Sequence, residues 1–256
     1  MNDSQSASEI RIEREGAIRT VTLCRAEKRN ALTLEMFATL TDAFTGEPDP
    51  RERATVLRAE GSVFCAGVDL GQRAEGAVRE GESPLELLCA ALRAYPLPVV
   101  AVLTGAAVGG GFMLLTHCDF VVAVEDANVG NSAVQMGIVP PWLLSRHVLS
   151  AVGPGLARRL LLVGDLVPAA QLDPSVVTVA VPAEELEDEV QALLARLAGN
   201  APLSLRAIKA TIDAERHEHA SHDEVDALIR VAQASEDGKE GVAARRERRP
   251  ARFRGR

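Results

Sequence analysis

A chain of 256 residues, 47% of them hydrophobic and 25% charged, can bury a full core in one domain of ordinary size. Its net charge of -8 fits a soluble, slightly acidic protein, and no N-terminal apolar segment is long enough for a signal peptide or a membrane span. The four cysteines, Cys24, Cys65, Cys89 and Cys118, stand singly in apolar runs without CxxC spacing, which points to core thiols in a cytoplasmic, reducing compartment rather than to disulfides or zinc.

Ile10 to Glu15 and Ile18 to Leu23 mix apolar and polar residues at short period around a Gly-containing turn and predict a hairpin. Thr33 opens a helix with apolar residues at Leu34, Phe37, Leu40 and Phe44, a 3.6-residue stripe, and Gly46-Glu-Pro-Asp-Pro50 ends it. A strand over Thr55 to Arg58 leads into Phe64-Cys-Ala-Gly-Val-Asp-Leu70, a turn at Gly67 and a helix start. Gly71 to Ser83 has no apolar stripe and reads as a mobile surface loop of the kind that borders active sites. Pro84 suits the first turn of a helix carrying Leu85, Leu88, Leu92 and Tyr95, which Pro96 and Pro98 stop.

The stretch Pro98 to Val124 organises the rest. Val99 to Leu103 is a β-branched apolar run that reads as a buried strand, and Phe112 to Cys118, apolar nearly all round, as a buried helix. A second strand, Phe120 to Val124, follows at once. Ala127 to Gly130 is then extended, Asn131 to Gly137 a loop, and Gly153-Pro-Gly155 the start of a helix with Leu156, Leu160 and Val163. Val176 to Val181 reads as a last strand, and three helical segments, among them Glu184 to Leu197 and Pro202 to Glu215, complete an α/β core with a helical C-terminal part. No linker splits the chain, so a single domain is expected over 1–256.

Gly109, Gly110 and Gly111 stand between strand and helix. Glycines at a helix start leave backbone N–H groups free at the positive end of the helix dipole, a chemistry for an oxyanion or a phosphate. Tight packing of the helix on a sheet would call for the same glycines. On these residues alone both readings stand.

Val102-Leu-Thr-Gly-Ala-Ala-Val-Gly-Gly-Gly111 taken with Phe64-Cys-Ala-Gly-Val-Asp-Leu70 resembles the crotonase superfamily, also called the enoyl-CoA hydratase/isomerase family. Lys28-Arg-Asn-Ala-Leu32, His117-Cys-Asp119, Met136-Gly-Ile-Val-Pro140 and Ser235-Glu-Asp-Gly-Lys-Glu-Gly241 match in the same order, from about residue 10 to the end. The resemblance implies a spiral of ββα repeats over about 1–195, with C-terminal trimerisation helices over about 196–256. It also implies a homotrimer or a dimer of trimers, and an acyl-CoA substrate. No permanently bound cofactor is implied, since coenzyme A arrives as part of the thioester.

By motif position, two backbone N–H groups that hold the thioester oxygen in the family belong here to Val68 and Gly110. The family's CoA contacts map to Lys28 and Arg29 and to the backbone of Ala66, Gly67, Val68, Asp69 and Leu70. Asp69, just past the glycine turn, reads as a local backbone cap rather than an acid or base. The departures fall on the proton-moving groups. The two glutamates with which family hydratases activate water and protonate carbon are replaced by Met113 and Ala133, and Pro140-Pro141-Trp142 replaces a glycine-rich PGxGG.

Ordinary hydration is therefore not expected. Asn131 and Ser132, beside the lost carboxylate, are weak candidates for orienting a water or a polar substrate group, with turn roles as the alternative. Trp142 is read as core or as acyl-pocket lining, and His117 as structural. His217, His219 and His222 are read as surface residues and only weak candidate acids, and one of Glu75, Glu80, Glu82 and Glu86 could reach the site. Three functions compete: an acyl-CoA enzyme that relies on enolate stabilisation, such as a malonyl-type decarboxylase; a non-catalytic acyl-CoA-binding subunit; and, resting only on the arginine-rich end after Ala244, nucleic-acid binding. That end lacks the aromatic residues that would stack on bases, and phosphate or inter-subunit contact outranks nucleic acid.

Overall fold

The computed structural model describes residues 8–74, 83–216 and 222–256. β1 (Ile10–Glu15) and β2 (Ile18–Leu23) form the expected antiparallel hairpin, with Ile10 opposite Leu23. β1 is exposed beyond Ile10 because it is the edge of its sheet, whereas β2 buries Val21 and Leu23. α1 (Leu34–Thr45) begins where the Thr33 hydroxyl accepts the Met36 N–H at 3.1 Å, and it buries Phe37, Leu40 and Phe44 of the predicted stripe.

The chain continues as β3 (Ala54–Ala59), β4 (Val63–Cys65), α2 (Leu70–Ala74), α3 (Pro84–Ala94), β5 (Val99–Leu103), β6 (Ala106–Val108), α4 (Gly110–Thr116), β7 (Phe120–Val124) and β8 (Asn128–Gly130). After these come α5 (Trp142–Arg158), β9 (Leu166–Pro168), β10 (Val179–Val181), α6 (Leu186–Ala198), α7 (Pro202–Arg216), α8 (His222–Ala234) and α9 (Glu236–Glu247). A six-stranded sheet has the order β1-β2-β3-β5-β7-β10 and is parallel from β2 onward; a four-stranded sheet has the order β4-β6-β8-β9. In each of the pairs β3–β4, β5–β6 and β7–β8, the first strand joins the large sheet and the second the small one, after which the chain leaves through a helix. The core thus advances one strand per turn, the spiral of ββα units expected above.

β5, the fourth strand of the large sheet in spatial order, is buried along its whole length, as a continuous Val/Ala/Leu run in a parallel sheet should be. A buried polar cluster joins β2 and β3. The Glu52 carboxylate accepts the Tyr95 and Thr55 hydroxyls, each at 2.6 Å, and pairs with Arg19 Nε at 3.4 Å. The Arg19 guanidinium lies 4.5 Å from the Tyr95 ring centroid and 5.0 Å from that of Phe44. Burial raises the Tyr95 hydroxyl pKa, so it stays a donor to Glu52.

Two expectations change. Only Val179–Val181 is strand, because Val176 and Val177 are buried in the turn before it. Gly153 marks a helix start as expected: at φ 73° and ψ 166° it separates the helix that runs from Trp142 from the one that follows through Pro154, and the two together form the kinked α5. Beyond residue 185 the described residues form four helices where three were expected. The arginine-rich end is folded back onto α9. The Asp237 carboxylate accepts the N–H groups of Arg254 and Gly255, each at 2.7 Å, while Arg249 pairs with Glu240 and Glu247, and Arg256 with Glu236.

Candidate active site

The segment Ala66–Asp69 leaves β4 and is pinned from outside by the turn at 25–32. Ala66 N donates to Arg29 O at 3.0 Å, Leu32 N to Gly67 O at 2.7 Å, and Asp69 N to Leu32 O at 2.9 Å. This bridge uses the groups on either side of Val68, so the Val68 N–H points to the opposite side of the chain. Gly67 N is occupied by Cys65 Sγ at 3.4 Å. Burial pushes that thiol's pKa up to about 12, which leaves it inert.

Asn30 and Arg25 hold the turn itself. Asn30, fully buried and in the left-handed region at φ 53°, donates its amide to Glu60 O and Val63 O and accepts the Arg25 N–H. Arg25 pairs with Asp69 at 2.7 Å and with Glu9 at 2.8 Å. The other Asp69 oxygen accepts the N–H groups of Gly71 and Gln72, which is the local cap expected of it. Its carboxyl pKa is lowered, first of all by the hydrogen bond from Arg25.

The opposite wall is the first turn of α4. Gly109 N donates to Gly130 O at 2.9 Å and Met113 N to Gly109 O at 3.1 Å, while the Gly110 N–H stands ahead of any intrahelical acceptor. The two walls touch through backbone alone. A Cβ on Gly67 would lie 2.9 Å from Gly110 N; one on Gly110 would lie 3.4 Å from Val68 N. One on Gly111 would lie 2.4 Å from Cys65 O. The glycines therefore meet both requirements left open above, close packing and free N–H groups.

A cavity of about 270 Å³ lies against both walls and is lined by Val68, Gly110, Met113, Asn131, Ser132 and Ala133 among others. Ala66, Gly67 and Leu70 also border it. Every backbone and side-chain position assigned to the reacting end of the site is thus brought to one place. Met113, 1% exposed, lines the cavity with an apolar side chain, and Ala133 begins the short helical turn Ala133–Met136. Two N–H groups side by side on such a cavity can bind an oxygen that gains negative charge. Met113 and Ala133 cannot carry a proton.

The other candidates separate. Lys28 and Arg29 are exposed on their turn, away from the cavity lining. Trp142 is neither core nor lining: it is 72% exposed at the start of α5, with Arg146 over its ring at 5.8 Å. The exposed Met136 and Val139 at the cavity lip precede it in the same apolar run. His117 is buried at the far end of α4, its Nδ1 2.7 Å from Met113 O and its ring stacked on His147 at 3.9 Å, which bears out a structural role. Glu86 sits in the first turn of α3 and does not line the cavity. Glu75, Glu80, Glu82, His217 and His219 lie outside the described residues, and nothing is assigned to the His222 side chain. Among the described residues no group of acidic, His or Cys side chains could hold a metal, and no helix is long and apolar enough to cross a membrane.

A family model described as enoyl-CoA hydratase/isomerase matches residues 13–256. A putative enoyl-CoA hydratase of Thermus thermophilus is 37% identical over 95% of this chain and 100% of its own, and a probable enoyl-CoA hydratase of Mycobacterium tuberculosis is 32% identical over 96% and 99%. Among solved structures, an enoyl-CoA hydratase/carnithine racemase from Magnetospirillum magneticum superposes with a TM-score of 0.88 at 30% identity, covering 98% of this chain and 97% of that one. An enoyl-CoA hydratase from Bacillus anthracis gives 0.84 at 25%, covering 97% and 100%. With matches that run nearly end to end in both sequence and structure, this chain belongs to the enoyl-CoA hydratase/isomerase family and has the crotonase fold.

Proposed function

We propose that the protein binds an acyl-CoA thioester with its carbonyl oxygen between the N–H groups of Val68 and Gly110, and stabilises the enolate that forms there without a glutamate acid/base pair. The observation that carries this reading is a cavity that keeps both donors while presenting Met113 and Ala133 where proton transfer would be needed. On this reading coenzyme A enters and leaves as part of the thioester, and its phosphates are taken by Lys28 and Arg29, which are exposed on the turn bonded to Ala66.

Hydration needs one group to take a proton from water and another to give one to carbon. Loss of carbon dioxide from a malonyl-type thioester needs neither to begin: the carbon–carbon bond breaks, its electron pair passes to the thioester oxygen, and water then protonates the enolate carbon. The apolar walls favour that reaction, because they strip water from a carboxylate that must lose its charge. A binding subunit without turnover is the reading if neither reaction occurs. Self-association as a trimer, or a dimer of trimers, is part of the same proposal; the exposed Ile208 and Ile212 on α7 and Val231 on α8 support it.

Purified protein should bind butyryl-CoA in a calorimetric titration yet hydrate crotonyl-CoA far below ordinary enzyme rates of about 1 to 1000 per second. Methylmalonyl-CoA turnover, followed by mass spectrometry, separates the decarboxylase from the binding subunit. Hydration at ordinary rates refutes the reading of Met113 and Ala133.

A further inference from the structure

Asn131 is 3% exposed and lines the cavity, and its Oδ1 accepts the Ala133 N–H at 2.9 Å. Only the oxygen of a carboxamide can accept an N–H, so this bond sets the amide orientation and turns the amino group the other way. Nδ2 has no hydrogen-bond partner among the described residues. Among the described residues the fully buried side-chain polar atoms without a partner are Arg19 Nη2 and Glu52 Oε2, so Nδ2 keeps some exposure. A nearly buried side chain thus offers a fixed, unused donor to the cavity.

Its neighbours place that donor along the substrate. Val108 pairs with Gly130 in the small sheet, and Gly109 N donates to Gly130 O, so Asn131 follows directly on the residue bonded to the glycine before Gly110. Gly110 and Asn131 line one cavity, so an acyl group whose thioester oxygen sits at the Gly110 N–H shares that cavity with Asn131. The surrounding Met113 and Ala133 offer no acceptor. A plain hydrocarbon chain would take water from Nδ2 and return nothing, whereas an oxygen on the acyl group would complete it.

The geometry points to Asn131 as a specificity-determining residue for acyl-CoA thioesters that carry an oxygen acceptor on the third acyl carbon, either a 3-oxo group or a malonyl-type carboxylate. This rests on the acyl-CoA reading above and narrows its substrate class. Asn131→Asp is the informative variant, because it keeps the oxygen that accepts from Ala133 and replaces only the donor.

Calorimetric titration of the full chain with butyryl-CoA, acetoacetyl-CoA and malonyl-CoA tests it. The parent should bind at least one oxygenated thioester about tenfold more tightly than butyryl-CoA. The stronger of the two identifies the acceptor as ketone or carboxylate. Asn131→Asp should erase the preference over butyryl-CoA, more severely for malonyl-CoA through charge repulsion. A parent that binds all three alike, or a variant that keeps the preference, overturns the assignment. A parent that binds none of them overturns the acyl-CoA reading itself. The parent's own selectivity decides the matter even if the variant folds poorly.

Discussion

Gly67 and Gly110 meet backbone to backbone: a Cβ on the first would fall 2.9 Å from the amide nitrogen of the second. Two chain segments about forty residues apart are thereby held close enough for their N–H groups to address one cavity. Gly67→Ala would also force a residue with a side chain into φ +96°. We expect it to destabilise the fold by more than about 1 kcal/mol and to weaken butyryl-CoA binding at least about tenfold. Gly111→Ala, whose Cβ would lie 2.4 Å from Cys65 O, should lower the melting temperature further than Gly110→Ala, whose nearest contact is 3.3 Å. Thermal unfolding of the set checks the order.

Restoring carboxyl groups should restore chemistry. The double variant Met113→Glu with Ala133→Glu is expected to hydrate crotonyl-CoA measurably above the parent, and each single variant to gain little, because water activation and carbon protonation need separate groups. The carboxyl introduced at position 113 enters a site 1% exposed, so its pKa should be raised and the activity of the double variant should change with pH above the usual carboxylate range. Initial rates from pH 5 to 9 read this out. Equal activity of parent and double variant would locate the barrier elsewhere.

The Arg25–Asp69 pair carries a pH signature. The Asp69 carboxyl titrates below its ordinary value in the folded chain, chiefly because Arg25 bonds the charged form. Its contribution to stability is therefore present above about pH 4, the unfolded value, and is lost as the pH falls through the lower folded value. Asp69→Asn should melt lower than the parent at pH 7, and the gap should close on acidification. A gap that stays constant down to about pH 3 contradicts the assignment.

Glu52→Ala removes the buried partner of Arg19 and the acceptor of two hydroxyls. The cation left behind should cost about 3–5 kcal/mol, visible in urea unfolding. Tyr95→Phe removes one hydroxyl of the same cluster, and about 1 kcal/mol is expected.

What the sequence made legible was whatever is local and periodic. The apolar run of β5, the glycines that open α4 and the Thr33 cap each depend on neighbouring residues and were read from them, although α4 starts at Gly110, two residues before the expected Phe112. Long-range pairings were not legible: Arg25 meets Asp69 across 44 positions, and nothing in its surroundings marks it. Asn30 had a signal in hindsight, a short polar residue able to adopt positive φ beside the expected CoA turn. Trp142 misled because size and hydrophobicity argue for burial, yet it opens a helix on an exposed lip. The intrachain pairing of the arginine-rich end was not legible because its acidic partners on α9 are brought alongside only when the chain turns back. Asn131 is the most instructive case: the turn role offered for it falls to its Oδ1, which accepts the Ala133 N–H, while the same side chain also lines the cavity.

The central claim is that the Val68 and Gly110 N–H groups polarise a thioester carbonyl. Isotope-edited infrared spectroscopy of butyryl-CoA labelled with carbon-13 at the thioester carbonyl, free and bound to the parent protein, reads that bond directly. Two hydrogen bonds to the oxygen should lower the carbonyl stretch on binding, and Gly67→Ala should reduce the shift. A bound thioester whose carbonyl stretch matches that of the free molecule in water, or rises above it, would contradict the account.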